Sequence, residues 1–220
     1  AVRFATKLGF RLEPQTEAQV TRLAPLLADI PPARLFDEML KLFMGGAALA
    51  NFEMLRHYNL FEQLFPFTEK SLAHEESHFP LTLINRGMAN TDTRIEQGKP
   101  VTPAFLFAVF LWEPVRERAA RLEAEGQQPA QAMQHASAQI IAEQDAIMAT
   151  PRRFSLPMRE IWMLQLRLEQ KGGRRSQRVL AHPRFRAAYD FLLLRAEVGE
   201  ARDRLRRAAG RRQQPRVRAL

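Results

Sequence analysis

The sequence predicts an all-α fold built as two or three consecutive helical bundles. Apolar residues recur every three or four positions along almost the whole chain. No stretch alternates apolar and polar residues with a period of two between turn signals, so no strand is expected. Prolines and paired glycines sit where apolar stripes start or stop. With 220 residues, 46% of them hydrophobic, the chain can bury one large core or two small ones.

Val20, Leu23, Leu27 and Ile30 share the first apolar face. Leu35, Met39, Leu42 and Phe43 form the next stripe, on a helix that opens at Pro31-Pro32 and stops at Gly45-Gly46. Phe52 and Leu55 mark a helix closed near Asn59. A short helix from Leu60 to Phe65 ends at Pro66. Residues 67–80 are polar and mixed, and they read as a loop or boundary. Leu83 to Ile95 is helical by pattern. Gly98-Lys99-Pro100 is a turn, and Pro103 opens the apolar helix Ala104 to Trp112. Pro114 kinks the chain or restarts the helix there.

Ala130 to Met148 is a long amphipathic helix. Thr150-Pro151-Arg152-Arg153 reads as a linker, because proline disfavours helix in the residue before it. Ile161, Leu164 and Leu168 mark the next helix, which Gly172-Gly173 ends. Leu180 closes a short helix, and His182-Pro183 breaks the chain. Phe185, Tyr189, Leu192 and Ala196 carry the last stripe, whose spacing assigns Phe185 and Tyr189 to the core. From Gly199 onward Arg, Ala and Gln dominate, which predicts a frayed helix passing into a disordered tail.

The net charge of +9 is unevenly placed. Residues 1–110 hold 11 basic and 12 acidic side chains, or −1. Residues 111–220 hold 22 and 12, or +10. Of the 33 cations, 28 are Arg, whose planar fork suits phosphate and stacks on bases. This half points to a polyanion, above all nucleic acid. Cysteine is absent, which excludes disulfides, thiol nucleophiles and thiolate zinc sites and fits a cytoplasmic location. The longest apolar run, Ala104 to Trp112, is about half of a membrane span, so no membrane association is expected. The chain starts Ala1-Val2-Arg3-Phe4, without Met and in mid-pattern. It reads as a piece of a longer protein.

His74-Glu75-Glu76-Ser77-His78 satisfies the zinc-protease pattern H-E-x-x-H. That chemistry needs both His on one helical face. Pro80 follows two residues later, and a helix running through it would lose a hydrogen bond and clash at Glu76. A polar loop is the better reading, and no metal ligand is assigned. There is no G-x-S-x-G, no phosphate loop and no D-x-D among the six aspartates, so no catalytic residue is assigned either.

The positive signal is basic. Arg152 and Arg153, then Lys171, Arg174, Arg175 and Arg178, then Arg184 and Arg186, are the candidate RNA-binding residues. Lys171-Gly172-Gly173-Arg174-Arg175 sets flexible backbone beside cations, which suits close approach to phosphates. His182 reads as a turn residue and not as a base or ligand.

Residues 1–10 (AVRFATKLGF) resemble the end of the R-x-x-R-x-x-R-F-A helix of class II nucleotidyltransferases, the bacterial poly(A) polymerases and CCA-adding enzymes. PPARLFDEMLKLF at 31–43, NTDTRI at 90–95, PAFLFAVFLW at 103–112, REIWMLQLR at 159–167 and HPRFRAAYDFLLLRAEV at 182–198 resemble the poly(A) polymerase branch. These blocks run in the same order over about residues 1–200, and the Arg-rich tail also fits.

The resemblance implies neck-like (1–66), body-like (67–150) and leg-like (151–198) helical regions and an Arg-rich tail (199–220). It implies an enzyme that adds AMP from ATP to RNA 3′ ends with Mg²⁺, promoting RNA decay. In that family the catalytic carboxylates belong to a separate head. This chain alone is therefore expected to be inactive and to bind neither ATP nor Mg²⁺. Arg3 and Phe4 carry over as support for the nucleotide pocket. The alternatives are the same part of a CCA-adding enzyme, or a stand-alone helical nucleic-acid-binding regulator.

Overall fold

A computed structural model describes residues 1–73, 79–169 and 179–200. Twelve α-helices are present among the described residues, and no strand is. The all-α expectation holds. The helices are α1 (Val2–Leu8), α2 (Pro14–Leu23), α3 (Pro32–Phe43), α4 (Ala48–His57), α5 (Leu60–Leu64) and α6 (Pro66–Ala73). They continue with α7 (Phe79–Glu96), α8 (Pro103–Phe110), α9 (Trp112–Ala124), α10 (Pro129–Ile147), α11 (Arg152–Leu168) and α12 (Phe185–Glu197). A 3-10 turn (Ala24–Asp29) follows α2 directly.

Local chemistry sets most of the ends. Pro32, Pro103 and Pro129 stand in first turns, where a missing N–H costs nothing. Thr102 caps α8, its Oγ1 accepting from Phe105 N at 3.3 Å. Asn59 takes the left-handed conformation, φ 56°, between α4 and α5. α4 begins after Ala47, which has no side chain to cap it. Asp92 of α7 supplies the cap instead, accepting from Ala48 N at 2.6 Å and Leu49 N at 3.0 Å.

α8 is the hub. Its Ala104, Leu106, Phe107, Ala108, Val109 and Phe110 are all buried. The Phe110 ring meets Phe43 (5.1 Å), Phe61 (5.5 Å) and Phe65 (4.8 Å), mostly edge-on or tilted. Phe107 stacks on Phe36 at 5.6 Å. Each such ring contributes about 1.5–3 kcal/mol by burial alone. Trp162 of α11 donates from Nε1 to the Ala108 carbonyl at 3.1 Å, and Trp112 packs edge-on against Phe191 of α12 at 5.4 Å. One core cluster therefore runs from Val2 to Leu194.

Four expectations need correction. Residues 66–73 are helix α6 and not loop, and Pro66 opens a helix where the pattern had one ending. Thr68 and Ser71 are buried because they bond inward: Thr68 Oγ1 donates to the Phe110 carbonyl at 2.9 Å and Ser71 Oγ to Glu117 at 3.2 Å. Arg152 and Arg153 are not linker. They form the first turn of α11 behind Pro151. The first apolar face is core only in part: Val20, Leu27 and Ile30 are half-buried against the core cluster, but Leu23 is 45% exposed. α12 buries Ala188, Phe191, Leu194 and Arg195, so Tyr189 faces out. The pattern misassigned that face because Arg195, an apparent surface residue, is fully buried.

Candidate nucleic-acid interface

α11 opens behind Pro151 and packs on α8, α10 and α12. Ser155, Met158, Ile161, Trp162, Leu164 and Gln165 turn inward. With 3.6 residues per turn, positions 152, 156, 159, 163 and 167 then line up on the outer side. They are Arg152, Leu156, Arg159, Met163 and Arg167, a row of cations interleaved with apolar side chains over about 22 Å. Leu156 is 48% exposed.

The middle of this row forms one wall of a shallow groove of about 240 Å³. Leu156, Arg159, Glu160, Met163, Leu164 and Arg167 line it from α11, and His182 closes it from the turn before α12. His182 Nδ1 accepts from Arg184 N at 3.1 Å, which leaves the neutral ring's proton on Nε2. Below the groove Leu164 packs with Val179 and Ala188, and Phe185 leans on them. Phe185 stacks on the exposed Tyr189 at 5.8 Å.

The ion pairs here leave a residue of positive charge. Glu160 takes Arg184 at 3.2 Å, Asp190 takes Arg186 at 3.0 Å and Glu197 takes Arg86 at 3.0 Å. Glu169 takes the buried Arg195 at 2.8 Å. Every acidic side chain on α11 and α12 is thus matched, while Arg152, Arg159 and Arg167 have no carboxylate partner among the described residues. Arg153 lies over the Phe154 ring at 4.9 Å.

The residues singled out from the sequence separate into four groups. Arg152 and Arg153 sit at the head of the row. Arg184 and Arg186 are exposed but ion-paired. Lys171, Arg174, Arg175 and Arg178 lie outside the described residues, as do His74–His78 and the tail from 201 onward. Arg3 and Phe4 are on α1, which packs on α4, with the Arg3 guanidinium 5.0 Å above the Phe4 ring. Phe4 is 55% exposed. Sequence reasoning missed Arg159, Arg167, Leu156 and Met163. Their signal was helical spacing, not adjacency. His182 is a turn residue as expected, and it also borders the groove.

No described helix is long and apolar enough to cross a membrane. Among the described residues, no three His, Asp or Glu side chains come together in a way that could hold a metal ion.

Arginines without carboxylate partners among the described residues line one helix of this all-α protein, an electrostatic footprint that points to nucleic-acid-handling proteins. Comparison with known proteins narrows this. Residues 9–72 match the family described as "Probable RNA and SrmB- binding site of polymerase A", and residues 125–214 match "Polymerase A arginine-rich C-terminus". The chain is 43% identical over 199 residues to Poly(A) polymerase I of Escherichia coli O6:H1, covering 90% of this chain and 43% of that protein. It is 39% identical over 204 residues to Poly(A) polymerase I of Haemophilus influenzae, covering 90% and 44%. The value for Salmonella typhi is 41% over 199 residues, covering 90% and 43%. The chain thus spans well under half the length of these relatives. It belongs to the bacterial poly(A) polymerase family and corresponds to its C-terminal part.

Proposed function

We propose that this chain is the RNA-handling part of a polynucleotide adenylyltransferase. That enzyme transfers AMP from ATP to RNA 3′ ends in the bacterial cytoplasm and so promotes RNA decay. One observation carries the assignment of work to these residues. Arg152, Arg159 and Arg167 form an uncompensated row on the helix that lies within the arginine-rich match. Such a row holds a phosphate backbone without reading sequence, which tailing of varied RNAs requires.

Arg152 and Arg153 lead the proposed track, and Lys171, Arg174, Arg175 and Arg178 are proposed as further RNA contacts. Arg184 and Arg186 add less, because each already serves a carboxylate. Arg3 and Phe4 support the nucleotide pocket from the neck-like region, 1–66. The body-like (67–150) and leg-like (151–198) regions hold the RNA grip on a shared core.

ATP and Mg²⁺ are the cofactors of the full-length enzyme in this reading. Those groups belong to the enzyme's catalytic head, and the chain alone transfers no nucleotide.

The test is titration with labelled single-stranded oligo(A) RNA at several salt concentrations. Salt-sensitive binding, with duplex DNA no tighter, is the expected result. No binding at low salt, or preference for one duplex sequence, overturns the assignment. Sequencing the products of the longer enzyme that contains this segment separates homopolymeric A from a stop after CCA.

A further inference from the structure

We propose that the groove between α11 and the 181–184 turn seats one nucleobase of the bound RNA strand. This rests on the RNA-handling function above and goes one step beyond phosphate contact.

Three features of the groove point to a base. The first is size. At about 240 Å³ it is smaller than the roughly 300–1,000 Å³ of pockets that enclose drug-sized ligands, so it suits a single ring system and not a whole nucleotide triphosphate. The second is its lining. Leu156, Met163 and Leu164 present an apolar surface, which suits the flat face of a base, and a methionine sulfur packs well against aromatic edges. The third is its rim. Arg159 and Arg167 lie two turns apart, about 12 Å along the helix, without carboxylate partners among the described residues. They can bind the phosphates on either side of the seated base or stack on its plane.

Two polar groups complete the rim. The proton on His182 Nε2 gives one hydrogen-bond donor, and every base offers it an acceptor on its edge. Glu160 also lines the groove, and its charge is offset by Arg184 at 3.2 Å. The seat is therefore base-dependent but tolerant of base identity.

The test compares the 220-residue chain with two double variants, using single-stranded oligo(A) RNA and an oligomer of equal length with abasic sites. Arg159→Ala with Arg167→Ala should weaken oligo(A) binding at least tenfold. It should also flatten the log–log salt slope by about 1.4, near 0.7 per phosphate. Leu156→Ala with Met163→Ala should weaken oligo(A) binding about fivefold with the slope unchanged. On the abasic oligomer this second variant should match the unaltered chain. Leu156 is 48% exposed and Met163 packs only at the edge of the core, and thermal melting checks that both variants are folded.

A second variant that binds oligo(A) normally overturns the base seat and leaves the RNA-handling function standing. So does one that weakens the abasic oligomer equally. RNA binding untouched by either variant rejects the groove altogether. Failure of the unaltered chain to bind any single-stranded RNA at low salt removes the functional proposal, and the base seat with it.

Discussion

The guanidinium of Arg195 lies over the Trp112 indole, 4.4 Å from the ring centroid, with no solvent exposure. Gln165 Oε1 accepts from its Nη1 at 2.9 Å, and Glu169 and Glu200 bind the other nitrogens. Trp112 Nε1 donates to Glu200 at 3.3 Å. Burial disfavours the charge, yet hydrogen bonding and attraction to Glu200, followed by Glu169, hold its pKa above the ordinary arginine value. Arg195→Ala takes away the cation these carboxylates share and should lower stability by about 3–5 kcal/mol. Urea denaturation measures it, with Arg195→Lys expected in between. A loss under about 1 kcal/mol would show that the buried pairs are not holding α12 in place.

Asp92 caps a helix that its own sequence leaves uncapped. Asp92→Ala strands the Ala48 and Leu49 N–H groups and should cost about 1–2 kcal/mol. Asp92→Asn keeps one acceptor and should lose less. Equal losses in the two variants would place the effect elsewhere than in the cap.

Gly87 of α7 faces Val109 of α8. A Cβ there would stand 2.8 Å from Val109 Cγ1, a buried and branched side chain. Gly87→Ala should destabilise the fold by about 1–3 kcal/mol despite alanine's better helix propensity. In the Val109→Ala background the same change should be neutral or stabilising, and the double-mutant cycle reads this directly.

The helices were legible because their chemistry is local: proline first turns, the Thr102 cap, apolar residues at helical spacing. What stayed hidden depends on distant partners. α6 looked like a loop because Thr68 and Ser71 are polar, and only the Phe110 carbonyl explains why Thr68 is inside. Arg195 looked like surface until Glu169, Glu200 and Trp112 closed around it. The candidate groove was hidden differently. Arg159 and Arg167 are eight residues apart, and adjacent pairs such as Arg152-Arg153 draw the eye in a linear reading. Winding the chain into α11 brings the distant cations into one line.

Burial pushes the Asp145 carboxyl above the usual aspartate value, although it accepts from Thr150 N at 3.0 Å. A folded pKa above the unfolded one means that the folded state binds the proton more tightly. The relative stability this gives is full below the unfolded pKa and is lost as pH rises through the folded pKa. Asp145→Asn keeps the acceptor without the charge. It should therefore be more stable than the unaltered chain at about pH 7, and the gap should narrow as pH falls toward about 4. Urea midpoints at several pH values check this. A gap that widens toward low pH would reverse the sign.

Glu160 brings the one carboxylate among the residues lining the groove. Glu160→Gln removes that charge and releases Arg184, so RNA binding should tighten about two- to threefold at low salt. Unchanged affinity would mean that the strand does not pass this rim.

The two stretches that match described families, 9–72 and 125–214, leave out α8, which the longer likeness to the poly(A) polymerases takes in. α8 lies between them, and Phe110 faces rings from α3 and α5 while Ala108 receives Trp162 from α11. A gene fragment trimmed to 9–72 would lose the Phe107 and Phe110 rings that Phe36, Phe43 and Phe61 meet, and one trimmed to 125–214 would lose the carbonyl that Trp162 bonds. A fragment that keeps these contacts must carry α8 together with the stretches on both sides of it.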